Sequence, residues 1–302
     1  MKHINQNLKQ LIFICIAALG LMFSACGKHQ PQNRDELAEL LRDEKIKLNT
    51  IDTSKITDMS FLFANISSDD CGIGDRFAAY IQNCKNNAGK REDFSGIETW
   101  DVSNVTNMSG MFGAAVSFNQ ALGEWDVSKV IDMSYMFAGA KSFNQPLDKW
   151  NVANVKDMSH MFFWAESFNQ SLESWNVSNV ENMKSMFHGA ISFKQPLNSW
   201  DVSNVKDMSA MFSSVKSFNQ PLDKWDVSNV EDMEFMFAGA EEFNQSLNSW
   251  NVSKVTNMHG MFLEAKSFKQ NLDSWKVNKD ASIFDMFKNS PLESNPPKWY
   301  KK

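Results

Sequence analysis

Residues 147–172, LDKWNVANVKDMSHMFFWAESFNQSL, decide the fold. Apolar positions fall at Leu147, Trp150, Val152, Val155, Met158, Met161, Phe162, Ala165, Phe168 and Leu172. The frame recurs without a slip: Trp100, Trp125, Trp150, Trp175, Trp200, Trp225, Trp250 and Trp275 stand 25 residues apart. An unbroken period of that length means one supersecondary unit copied and stacked, each copy burying its apolar side against its neighbours.

Within a copy, the Leu/Trp/Val alternation has the form of a short strand. The Met-x-x-Met-Phe-x-x-Ala part has spacings of three and four, the signature of a helical turn or two. Asn107, Asp132, Asp157, Asn182, Asp207, Asp232 and Asn257 precede the first Met, where a side-chain oxygen would cap a helix start. The expected fold class is therefore α/β: an LRR-like solenoid of stacked 25-residue strand-turn-helix coils with an N-terminal helical cap. Eight or nine coils at roughly 4.8 Å each would make a stack about 40 Å long.

The ends follow different rules. Residues 1–25 carry Lys2 and Lys9, then an apolar run from Leu11 to Phe23, the anatomy of a secretory signal. The run is shorter than the roughly 20 residues a membrane span needs. Ser24-Ala25-Cys26 resembles a bacterial lipobox, in which Cys26 becomes the lipidated first residue; Phe23 departs from the usual leucine. An ordinary signal peptide that contains a cysteine is the other reading. Removing residues 1–25 takes away two lysines and no acids, so the net charge moves from −6 to −8. No basic face for nucleic acid is expected. Residues 26–34 read as a tether. Residues 35–49 read as a capping helix, with Leu37, Leu40, Leu41 and Leu48 at helical spacing. The solenoid is expected over 50–290, with 64–93 a diverged coil or a disulfide loop, and 291–302 a proline-bounded tail. In an exported chain Cys71 and Cys84 are disulfide candidates, closing about 14 residues for roughly 3 kcal/mol. Metal ligation is the rival, but two cysteines with no histidine nearby do not complete a site.

The block Trp-Asp-Val-Ser-Asn-Val-x-Asp-Met-Ser-x-Met-Phe at residues 200–212 resembles the repeat of BspA-like surface lipoproteins. The likeness covers about residues 48–290. It implies display at the cell surface by a lipid and, for some members, adhesion to host matrix or plasma proteins. Gly27 after Cys26 is not the aspartate that retains lipoproteins at an inner membrane, which favours the outer membrane if two membranes are present. It carries no catalytic residue. A structural or antigenic coat protein with no defined ligand is the alternative it leaves open.

Columns that repeat unchanged are core by the demand of stacking. The Trp column is read as packing. The glutamines Gln120 to Gln270, one per coil, are read as an amide ladder between coils. Asp101 and its copies form an exposed polar strip whose parallel carboxylates do not converge for Ca²⁺. Columns that vary are where binding specificity can reside: Tyr135, His160, Phe163, Trp164 and Phe235 are the candidates, expected on the helix side and partly exposed. Filling space between neighbouring coils is their competing role. His29, His160, His188 and His259 fall in different repeat positions or outside the repeat. With 13 glycines there is little room for a phosphate loop. No enzyme, cofactor, metal or small-molecule substrate is expected.

Overall fold

The structure is a computed structural model that describes residues 27–66 and 84–300. The expected signal segment, residues 1–25, and Cys26 and Cys71 lie outside the described residues; Cys84 is disulfide-bonded. A stack of coils is present, but the α/β strand-and-helix coil is not. From residue 100 to 290 no residue belongs to a helix or a strand. In place of strands, single parallel bridges link Asp58, Asn107, Asp132, Asp157, Asn182, Asp207, Asp232, Asn257 and Ser282 in one line from coil to coil. Leucine-rich-repeat geometry, which needs a strand per coil, falls with it.

The coils are built from turns. Trp125 N donates to Leu122 O (3.1 Å) and Val130 N to Val127 O (2.9 Å), so the apparent strand is two turns closed three residues apart. The apparent helix is a run of turns as well: Met111 N donates to Met108 O and Ala115 N to Phe112 O. Between those donors, alternate amides leave the coil. Met108, Gly110, Phe112 and Ala114 donate to the carbonyls of Asp132, Ser134, Met136 and Ala138 in the next coil. An amide spent on the next coil cannot close an intrahelical bond, which is why helical spacing misleads here. Turns with i→i+3 bonds bring residues three and four apart onto one side just as a helix does.

The Asn/Asp column therefore caps no helix. Asn107 Oδ1 accepts from Ser109 N (2.9 Å) and Asp157 Oδ1 from Ser159 N (2.7 Å), Asx-turns that hold the bridge residue in place.

The core runs the length of the stack. Each tryptophan of the period is only 2–4 % exposed. Its indole Nε1 donates to the leucine carbonyl of the preceding coil, as Trp200 does to Leu172 O (2.9 Å). Indoles stack on indoles (Trp200 on Trp225, centroids 6.5 Å apart and 2° from parallel), and phenylalanines on phenylalanines (Phe137 on Phe162, 5.7 Å and 8°). Identical side chains at a fixed period make these ladders possible, and a donor satisfied inside the core makes a buried indole tolerable. The glutamines join the lattice half-buried: Gln170 Nε2 donates to Asn144 O (3.0 Å) and Oδ1 (2.9 Å) one coil back.

The first coil stacks directly on the second. Asp58 bridges Asn107 although 49 residues separate them, and Trp125 Nε1 donates to Ile97 O, the first coil's counterpart of the leucine carbonyl. The coil's return arm thus includes Phe94 and Ile97, both buried in the core.

Helix α1 (Arg34–Leu41) closes this end. Asn33 caps it, and Leu37, Ala38 and Leu41 are fully buried. It is shorter than the expected 35–49: Asp43 Oδ1 draws Lys45 N (3.0 Å) into a turn, and Leu48 packs from a 3-10 turn, Leu48–Thr50. At the other end Trp299 stacks on Trp275 (6.3 Å) and donates to Leu272 O (2.8 Å), so part of the tail stands in for a further coil.

Candidate binding face

One side of the stack places two backbone positions per coil in the left-handed region. Among the described residues, twelve non-glycine residues have positive φ, from 51° to 61°, and every one lies in the column of Gly110 or of Ala114. Left-handed backbone costs an L-residue about 1–2 kcal/mol. Here it lets the amide at that position point into the next coil while the chain still closes its own turn. Side chains in the Ala114 column reach the surface, as Trp164 does, whereas Phe61, His160 and Ser185 of the Gly110 column are buried. The two columns accept residues from glycine to tryptophan.

The sequence candidates belong to this turn side rather than to a helix side. Tyr135 lies flat against His160 of the next coil (4.3 Å between centroids, 8°), and His160 meets Phe163 (5.6 Å). Phe163 stacks on His188 (5.0 Å, 20°), and Trp164 meets His188 edge to face (5.8 Å). Tyr135, His160, Phe163 and Trp164 thus form one aromatic surface across two coils, which His188 carries into a third. His188, which the sequence reading passed over as a scattered histidine, is its fifth member. It sits in the column of Phe163, so lining up that column was the available signal. Phe235 is not part of the surface; it packs edge to face on His259 (4.7 Å) and belongs to a second group with Phe284.

Exposure is uneven. His160 is 8 % exposed and fills space between coils, whereas Trp164 is 40 % exposed. A Cβ on Gly189 would lie 2.7–3.0 Å from three atoms of the Trp164 indole. The ring therefore rests on the bare backbone of the next coil. Gly139 and Gly189 stand on either side of Trp164 in its column, leaving it a lone ring between two gaps. Among the described residues His188 Nδ1 is buried with no hydrogen-bond partner, and burial lowers the pKa of the ring. The Lys141–Glu166 pair (2.8 Å) is exposed and contributes little to stability.

Elsewhere the surface is repetitive. Asp101 and its copies are exposed, as expected of the polar strip, but they hold their own turns: Asp126 Oδ1 accepts from Ser128 N (3.0 Å), and hydrogen bonds from the Ser128 side chain and then its backbone lower the Asp126 pKa. Among the described residues no group of histidine, cysteine or carboxylate side chains is arranged to hold a metal ion, and no helix is long and apolar enough to cross a membrane.

The architecture is that of a stacked-turn repeat protein with a varied aromatic face. Two overlapping stretches, residues 79–200 and 187–299, match the family described as Mycoplasma protein of unknown function, DUF285. The chain belongs to that family. No curated protein and no solved structure matches it.

Proposed function

We propose that this chain is a lipid-anchored, surface-displayed protein that binds macromolecules through the aromatic face around Trp164, without catalysis. The observation that carries the reading is Trp164 itself. In its column the other residues are glycine, alanine, serine, glutamate or asparagine, so stacking does not call for an indole there. A large ring held flat, partly exposed and flanked by Phe163 and His188 is the kind of anchor that dominates protein interfaces. Attachment by Cys26 rests on the lipobox-like Ser24-Ala25-Cys26, and host matrix or plasma proteins as partners rest on the BspA-like resemblance.

The test is binding of residues 27–302 to a panel of matrix and plasma proteins, with Trp164→Gly and Tyr135→Gly alongside. Glycine is the native residue elsewhere in both columns, so these variants remove the ring and suit the backbone. Saturable binding weakened by about tenfold or more in either variant supports the reading. Binding that ignores both variants moves the site elsewhere. No saturable partner favours the other reading, a coat component whose repetition is its function.

A further inference from the structure

From the residue after the bridge to the column of Ala114, the backbone bonds between coils point one way, although the residue before the bridge donates back to the preceding coil, as Ile131 N does to Thr106 O (2.8 Å). At each of the eight junctions, amides of one coil donate to carbonyls of the next, from Met59→Asn107 at the start to Met258→Ser282 at the end. The side therefore has a carbonyl pole near the N-terminus and an amide pole near the C-terminus, and the two poles are finished differently.

The carbonyl pole is closed. Arg34 Nε donates to Ser60 O (2.7 Å) and Ala88 N to Leu62 O (2.8 Å). Gly89 lies so close to Ala64 that a Cβ there would fall 2.0 Å from the Ala64 carbonyl oxygen. At the amide pole the donors equivalent to Met258, Gly260 and Phe262 are Ile283, Asp285 and Phe287, and among the described residues none of their amides has an acceptor. Only the fourth, Asn289 N, is taken, by Glu293 Oε2 (2.8 Å). Phe284 is 69 % exposed; one face stacks on His259 (5.5 Å, 7°). Beside it is a cleft of about 420 Å³ lined by Ile283, Phe284, Phe287, Glu293 and Tyr300. Asp285 already has φ 51°, the geometry of the interior coils, so the edge needs no rearrangement to pair.

We propose that this edge docks a turn-forming segment of a different protein chain, which offers carbonyls of alternate residues to Ile283, Asp285 and Phe287 and an apolar side chain to Phe284. Bond direction selects the occupant. Two copies of this chain meeting at their amide poles would set donors against donors. A head-to-tail pair would need the carbonyl pole, which Arg34 and Ala88 occupy. The tail narrows the opening further, because Trp299 and Tyr300 already cover Trp275 and part of Phe287. The partner therefore adds to the turn edge alone. This is strand-addition logic with turns in place of strands.

The probe is a synthetic peptide of residues 257–265, whose sequence presents those carbonyls inside the stack, made with D-alanine in place of Gly260 to hold the positive φ. Titrated into isotope-labelled residues 27–302, it is expected to shift the amide resonances of 283–287 saturably. The peptide with L-alanine at that position binds more weakly, and a scrambled peptide not at all. Phe284→Ser, serine being native at this position in several coils, weakens binding about tenfold or more, whereas Trp164→Gly leaves it unchanged. Absence of shifts with the D-alanine peptide overturns the proposal. So do shifts confined to other residues, equal shifts with sodium acetate, or a concentration-dependent dimer in sedimentation that Phe284→Ser abolishes.

Discussion

The indole ladder and the turn side face opposite demands within the same 25 residues. Along the ladder each tryptophan is buried, stacked and bonded to the coil before it, so every copy must be alike. Along the turn side the backbone is equally regular, with positive φ at the same two positions in coil after coil, yet the side chains run from glycine to tryptophan. Regular backbone and regular side chains are separable. The first comes from amides donating to the next coil, the second from volume that must match across an interface. Function can vary where only the first is required.

The sharpest break in that contrast is Trp200→Ala. It removes an indole buried between ladders and leaves the Leu172 carbonyl without its donor, a loss of about 4 kcal/mol or more. A large fall in the urea midpoint checks it; a change within experimental scatter would mean that the ladder is not what holds the coils together.

Gly189→Ala is next. Its φ of 70° and the contact with the Trp164 ring both oppose a Cβ, costing about 1–3 kcal/mol. In a Trp164→Gly background the steric part disappears and only the backbone part remains. Equal costs in the two backgrounds would show that the indole does not rest on Gly189.

Tyr135→Gly is expected to change stability by no more than about 1 kcal/mol, because the relief of left-handed strain offsets the lost stacking on His160. A loss as large as that of Trp200→Ala would make the turn side a second core and remove the distinction.

The smallest effect concerns the bridge column. Burial, and then the charge of Asp132, raise the pKa of Asp157. A carboxyl whose folded pKa exceeds its unfolded value costs stability while ionised, and the cost fades as pH falls through the folded pKa toward the unfolded one. Asp157→Asn removes that cost but sets its Nδ2 against Asn182 Nδ2, which donates to Asp157 Oδ2 (3.1 Å), so the net loss should be about 1 kcal/mol or less and smaller at pH 7 than near pH 4. Thermal unfolding of both proteins across that range checks the sign, and a larger loss at pH 7 than near pH 4 would reverse it.

Stacking, burial and four of the five members of the aromatic face were legible in the primary structure. The tryptophan period gives the stack, and the unchanged columns are the buried ones. Misreading entered at a specific point. Met108 and Met111 share a side in a helix and in a closed turn alike, so spacing could not tell them apart. Asn107 is a good helix cap and a good Asx-turn former for the same reason, a short side-chain acceptor. His188 was missed because its role depends on Phe163, one coil earlier.

The chain by itself determined that identical units stack, which side chains are inside, and where copies depart from one another. Only the tertiary structure decided how each unit is made. The choice between a helix and a set of turns rests on where alternate amides find acceptors, and those acceptors belong to the neighbouring coil, 25 residues away. The same long-range pairing sets the direction of the bonds, and with it the closed carbonyl pole at Arg34 and the open amide edge at Phe284.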